Sequence, residues 1–205
     1  MNDHYFSAAP IGQARRRVVE VKLAGEDFEV ETAGSIFSPD GLDRGTAVLL
    51  DNVPHPPTAG EFLDIGSGWG PVALTMGLLA PDARVTAIEV NERAASLTAS
   101  NAARLGVDNI TVQHPDEVPE DARFDVIWSN PPIRIGKQAL HEILSRWLPV
   151  LNHGGHAWLV VAKKLGADSL MPWIAKMLDE HSPGEFTVRR PATDKGFRIL
   201  HIERA

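Results

Sequence analysis

Three short stretches hold groups whose types and spacing suit chemistry: Leu63-Asp64-Ile65-Gly66-Ser67-Gly68-Trp69-Gly70, then Glu89, then Ser129-Asn130-Pro131-Pro132-Ile133. The first is a glycine-rich turn between an apolar run and an amphipathic one, where missing Cβ atoms let a ligand approach the backbone. A dinucleotide fingerprint, G-x-G-x-x-G, would need its third glycine at Pro71. The observed G-x-G-x-G suits a pyrophosphate less well, and it leaves Asp64, two residues before the first glycine, able to face a cation such as an amino-acid ammonium.

Glu89 lies 19 residues beyond Gly70, at the end of the next apolar run. A carboxylate there offers two oxygens to adjacent ribose hydroxyls; the alternative is an ordinary surface acid. The Asn-Pro-Pro stretch separates the cofactor classes. Two prolines after an apolar strand remove two N–H donors and fix φ, so the Pro131 carbonyl reads as a free, rigidly aimed acceptor beside the Asn130 amide oxygen. Two convergent acceptors suit an exocyclic amino group, holding its two N–H bonds while its lone pair points at an electrophile. The alternative is a strand-ending turn capped by Asn130.

In order and spacing these motifs resemble the class I S-adenosylmethionine-dependent methyltransferases that modify exocyclic or amide nitrogens. His4-Tyr5-Phe6-Ser7, Gly34-Ser35-Ile36-Phe37-Ser38, Leu42-Asp43-Arg44-Gly45-Thr46, the run NPPIRIGK from Asn130 to Lys137, and Lys195-Gly196-Phe197-Arg198-Ile199-Leu200 are similar to the small-domain group that contains the small-subunit (16S) ribosomal RNA guanine-N2 methyltransferases. The resemblance implies that Asp64, Gly66, Ser67, Gly68 and Gly70 border the methionine part of S-adenosylmethionine and that Glu89 holds its ribose. Asp116 falls where the family contacts the adenine amino group, with an exposed loop acid as the alternative. The resemblance also places Asn130, Pro131, Pro132 and Ile133 at the reacting amine, with Asn130 and Thr46 also at the cofactor. Phe37 and an Asp43–Thr46 turn would close the site, with plain core as the alternative for Phe37, and Arg134 and Lys137 are the nearest cations for substrate phosphates, with helix-surface charges as the alternative. The best-known ribosomal members resemble a duplicated pair of such domains, and this sequence accommodates one. Many relatives acting on adenine or protein amides carry an aromatic residue where Ile133 stands.

These groups need a scaffold. Residues 16–33 alternate as two strands around Gly25, and Thr46–Leu50 belongs to a short helix. From residue 61 strands and helices alternate: strand Phe62–Ile65, helix Pro71–Leu79, strand Arg84–Val90, and a helix capped by Asn91 and ended by Gly106. Strands Ile110–Gln113 and Phe124–Ser129 follow. A helical face then runs from Leu140 to Leu151, before strand Ala157–Val161. A last helix covers about 168–181, with Pro172 in its first turn or just before a helical restart. Strands Phe186–Arg190 and Phe197–Glu203 close the chain around a tight turn at 193–196. The alternation predicts an α/β, Rossmann-like, doubly wound fold. Its seven-stranded sheet is mainly parallel with an antiparallel C-terminal strand, and an N-terminal β-hairpin is added to it. We read a single methyltransferase domain over 1–205, with a hairpin and cap region at 1–58 and the core at 59–205.

With 205 residues, 43% of them hydrophobic, the chain can bury a core without staples. The absence of cysteine excludes disulfides, thiol nucleophiles and thiolate-held metals. The eight histidines show no metal-ligand spacing; His153 and His156 flank a glycine pair read as an exposed turn, and no metal is expected. The five tryptophans read mostly as core. The net charge of -7 divides into -4 for residues 1–60, -7 for 61–130 and +4 for 131–205. That basic last third is compatible with a local, salt-sensitive contact to RNA, ribosomal RNA or the small subunit being the implied partner. Arg15-Arg16-Arg17, Lys163-Lys164 and Arg189-Arg190 either add to such a surface or are solvated strand ends. No secretory signal or membrane span is legible, so a cytoplasmic protein is expected. Adenine N6 or a protein glutamine amide are alternative acceptors, and a non-catalytic cofactor- or RNA-binding module is the reading from another class. The oligomeric state is not legible.

Overall fold

The computed structural model describes residues 15–205; the His4–Ser7 motif lies outside them. The chain divides into two compact units, one built from residues up to Asp43 together with His55–Glu120, the other from Arg44–Pro54 and Asp121–Ala205.

The first unit opens with the hairpin β1 (Arg16–Leu23) and β2 (Glu26–Ala33), antiparallel with Val21 opposite Phe28. Ala24 and Gly25 both have positive φ, the conformation that a two-residue hairpin turn requires. Three parallel strands follow, β3 (Ala59–Ile65), β4 (Asp82–Ile88) and β5 (Ile110–Gln113), alternating with helices α2 (Pro71–Leu79) and α3 (Glu92–Leu105). Asn91 caps α3 by accepting from the Ala94 amide at 3.1 Å, and Gly106 ends it in the left-handed region.

The second unit holds α1 (Arg44–Asn52), β6 (Phe124–Ser129), α4 (Lys137–Trp147), β7 (Leu151–Ala162), α5 (Ala167–His181), β8 (Phe186–Asp194) and β9 (Phe197–Arg204). Strands β6 and β7 are parallel, whereas β9 runs antiparallel to β7 and to β8. The seven-stranded sheet has the order β5-β4-β3-β6-β7-β9-β8, mostly parallel with antiparallel C-terminal strands and flanking helices, as a Rossmann-like methyltransferase fold requires.

Several boundaries differ from expectation. Strand β3 starts at Ala59, three residues before the expected Phe62, and β4 ends at Ile88, which places Glu89 just beyond the strand. Arg44, Gly45 and Thr46 form the first turn of α1, not a separate turn. The face traced to Leu151 ends earlier: α4 stops at Trp147 and Leu151 opens β7. The glycine pair Gly154-Gly155 lies inside β7, at an irregularity where pairing with β6 shifts between Phe124 and Val126. Pro172 sits at the sixth position of α5, beyond the first turn, so the bond its N–H would have made to the Asp168 carbonyl is missing. Trp69, Trp128 and Trp147 are core, but Trp158 and Trp173 are half-buried and stack on His201 and His141.

Candidate active site

The residues singled out by the sequence fall into two constellations, one in each unit. In the first unit β3 delivers Asp64 into the interior at 1% exposure. Its Oδ2 accepts from the Ala73 amide of the first turn of α2 at 3.0 Å, the end of a helix that favours negative charge. Its Oδ1 is buried and has no hydrogen-bond partner among the described residues. Burial, with a smaller addition from the charge of Glu89, outweighs that amide and pushes the Asp64 carboxyl up to about 8. A buried, orphaned carboxylate oxygen is costly unless a donor or a cation completes it.

The glycine loop is built on the same strand end. The amides of Gly66 and Ser67 both reach the Ile88 carbonyl, at 3.0 and 3.1 Å, which folds the loop over β4. Gly68 and Gly70 both have positive φ. At Gly70 a Cβ would stand 3.0 Å from Thr98 Cγ2, whereas at Gly68 it would meet nothing within 4 Å. Glu89 closes the loop with both carboxylate oxygens: Oε2 accepts from the Gly68 amide and Oε1 from the Asn91 amide, each at 2.9 Å. Each oxygen has two lone pairs, so these bonds orient Glu89 and leave acceptor capacity for two hydroxyls. Burial raises its carboxyl above the usual range, against the lowering effect of those amides.

Two residues that sequence reasoning missed hold this loop from α3. Thr98 donates to the Gly68 carbonyl at 2.9 Å, and Asn101 Nδ2 donates to the Trp69 carbonyl at 2.9 Å. Asn101 also pairs with both backbone groups of Glu31 in β2, accepting at 2.7 Å and donating at 3.0 Å. One amide thus joins the hairpin to the glycine loop. Fully buried polar residues three apart on the apolar face of α3 are the signal that could have found them.

Asp116 sits in a 3-10 turn, Pro115–Glu117, and is exposed. Phe37 is 37% exposed and Val90 38%, so neither belongs to the core. Arg16 bonds Glu31, Ser96 and Ser100, and Arg17 bonds Thr32, Pro39 and Asp40, so both fasten the hairpin region.

In the second unit Asn130 follows the last residue of β6. Its Nδ2 donates to Thr46 Oγ1 of α1 at 3.0 Å, and Thr46 is buried. The expected freedom of the Pro131 carbonyl is not found: it accepts from the Ile133 amide at 2.8 Å. Pro132 takes up an inverse γ-turn, which swings this amide back. A carbonyl has two lone pairs, so one acceptor position remains. Ile133 and Arg134 lie in the 3-10 turn Ile133–Ile135, and Lys137 is exposed at the start of α4. Arg190 and Arg198 both pair with Asp168, whose carboxyl is held low by the Arg198 hydrogen bond above all.

A family model described as the methyltransferase small domain matches residues 27–201. The chain belongs to this family. It is 32% identical over 185 residues to the uncharacterized protein YbxB of Bacillus subtilis (strain 168), covering 89% of this chain and 92% of that protein. It is also 31% identical to ribosomal RNA small subunit methyltransferase C of Citrobacter koseri over 83% of this chain, but spans only 48% of that relative. Among solved structures it resembles a T. thermophilus 16S rRNA N2 methyltransferase in complex with AdoMet and guanosine. The TM-score there is 0.74 at 21% identity, over 96% of this chain and 52% of that one, a likeness of fold. The small-domain chain is therefore an S-adenosylmethionine-dependent methyltransferase, similar in sequence to the ribosomal RNA methyltransferase C proteins and spanning about half their length. Its own residues fit that cofactor: the orphaned Asp64 oxygen suits an ammonium group, and the amide-oriented Glu89 suits a ribose diol.

Proposed function

We propose that this methyltransferase acts on an exocyclic amino group of an RNA base, guanine N2 in ribosomal RNA first. The observation that carries this reading is the Asn130 amide, locked by Thr46 so that its carbonyl and the remaining lone pair of Pro131 can accept from one amino group. The names of the relatives support RNA as the substrate class and guanine as the base.

When bound, S-adenosylmethionine supplies a methyl group on a sulfonium, already a strong electrophile. The protein has to position. Asp64 Oδ1 holds the ammonium, Gly66, Ser67, Gly68 and Gly70 border the methionine part, and Glu89 takes the ribose hydroxyls. Asn130 and Pro131 hold the two N–H bonds of the acceptor, turning its lone pair out of conjugation with the ring, while Pro132 and Ile133 wall the pocket. The amine proton leaves to solvent after transfer. Thr46 acts through Asn130 and is a positioning residue. Phe37 and Asp116 are offered to the target base and adenine, and Arg134 and Lys137 to phosphates, which help offset the cost of swinging a base out of its stack. No helix among the described residues is long and apolar enough to cross a membrane.

Methylated-nucleotide maps of ribosomal RNA from cells with and without the protein test this reading. Loss of one N2-methylguanosine is expected; an unchanged map contradicts it. Loss of an N6-methyladenosine, or of a methylated protein glutamine, would reassign the acceptor.

A further inference from the structure

A second cluster of ligating groups stands in the second unit, level with Val126 of β6, four residues before Asn130. His156 in β7 is the register partner of Glu203 in β9, and His201 lies two residues before Glu203. Strand alternation therefore turns all three side chains to one face of the sheet. His156 Nδ1 and His201 Nε2 are 3.1 Å apart, and one ligand atom from each of the three residues lies within 4.8 Å of the others. All three side chains are half-buried.

We propose that His156, His201 and Glu203 form a binding site for a borderline divalent transition-metal cation, zinc being the first choice. Two imidazoles and one carboxylate are a donor set suited to such ions and unlike the all-oxygen sets of calcium or magnesium. Two nitrogens each about 2.0–2.1 Å from a tetrahedral zinc stand about 3.3 Å apart, close to the spacing already present. The carboxylate has to approach from within the 4.8 Å that already contains all three ligand atoms. The ring of His201 is held by Trp158, with centroids 4.1 Å apart and planes 19° from parallel, so one ligand is oriented in advance. Solvent takes the fourth position. The cation takes the place of the hydrogen bond between the two imidazoles, and the proton of that bond moves to the other nitrogen of its own ring, so that both ligands bind as neutral imidazoles.

The neighbours define what opposes binding. His201 faces Arg189 across the β8–β9 ladder, Glu203 faces Thr187, and His156 adjoins Val126 of β6. Arg189 is the cation that works against a metal at this place. Burial first, then the charges of His156 and Arg189, disfavour protonation of His201, with Glu203 acting the other way. The site belongs to the β7–β9 ladder, where bound metal would clamp two adjacent strands.

Untagged, chelator-stripped protein titrated with zinc against a chromophoric chelator tests the site. One zinc per chain with a dissociation constant of about 10 μM or below is expected. His156→Gln and His201→Gln should each weaken it at least about 10–100-fold, Glu203→Gln less, and Arg189→Gln should tighten it. Cobalt should give the intense visible bands of a four-coordinate ion, lost in His201→Gln. Metal-free melting curves of the variants, unchanged from the parent, separate loss of the site from loss of the fold. Zinc that binds equally well to the two histidine variants, or that does not bind at this affinity, overturns the proposal. S-adenosylmethionine affinity reads the methyl-transfer site independently and should stay the same in every variant.

Discussion

The Asn130 side chain donates through Nδ2 to Thr46 Oγ1 at 3.0 Å, so a buried hydroxyl on the first turn of α1 decides which way the amide just past β6 points. An amide has a donor end and an acceptor end. Holding the donor end on Thr46 turns the acceptor end away from it, and in the proposed reading that end receives the amino group.

Thr46→Val keeps the shape and removes the acceptor. The expected result is a fall in kcat of about 10-fold, since losing a buried hydrogen bond costs about 1–2 kcal/mol and frees a positioning group. Cofactor affinity should change little, and Thr46→Ser should restore turnover. Asn130→Ala should lower kcat further, again with little effect on cofactor binding measured by calorimetry.

Asp64 gives a pH dependence with a definite sign. Its folded-state carboxyl is raised from 3.8 to about 8, so the folded protein holds a proton that the unfolded chain releases near pH 4. Without cofactor, stability therefore falls as pH rises from about 4 toward 8, because ionising the buried group is opposed by the fold. Capture of an ammonium requires the ionised form, so S-adenosylmethionine affinity should climb over the same range toward pH 8. It should fall above that as the cofactor's own amine, ordinarily near pKa 8, loses its proton. Asp64→Asn should weaken binding by about 10–100-fold, the range for a charge-assisted bond, and flatten the acid limb. Its melting temperature without cofactor at about pH 8.5 should match or exceed that of the parent protein.

The glycines of the loop differ in what they tolerate. Gly70→Ala adds a Cβ 3.0 Å from Thr98 Cγ2 on a backbone of positive φ. It should cost about 2–4 kcal/mol in urea unfolding. Gly68→Ala, also at positive φ but with open space around it, should cost about 1 kcal/mol. Equal costs at the two positions would contradict the packing of the loop on α3.

Asn101→Ala removes the amide shared by the Glu31 backbone and the Trp69 carbonyl. It should destabilise the fold by about 2–3 kcal/mol by leaving buried groups unpaired, and it should weaken cofactor binding because the loop loses its tie to α3. Calorimetry and thermal melting on the same preparation read both effects.

What is legible in the sequence depends on whether a feature is local along the chain. The Gly66–Gly70 turn, the Asn91 cap, the Gly106 stop and the turn at Lys195-Gly196 are fixed by their own residues, and each is readable from them. Asp64 and Glu89 are legible as acids at strand ends, but the orphaned Oδ1 of Asp64 depends on what surrounds it. The Pro131 carbonyl is misjudged from sequence because proline fixes φ and leaves ψ open; the γ-turn ψ at Pro132 returns the Ile133 amide to it. Thr98 and Asn101 look like ordinary polar positions in a helix until the hairpin and loop arrive against them. His156 and Glu203 are 47 positions apart and meet only through strand register, which no ligand spacing along the chain encodes.

Whether this site methylates the guanine amino group is read by methyl transfer from labelled S-adenosylmethionine to small-subunit ribosomal RNA and assembled small subunits, followed by digestion to nucleosides. Label should appear in N2-methylguanosine and fall by more than about 10-fold in Asn130→Ala. Label in another nucleoside, or N2-methylguanosine formed equally well by Asn130→Ala, would contradict the assignment.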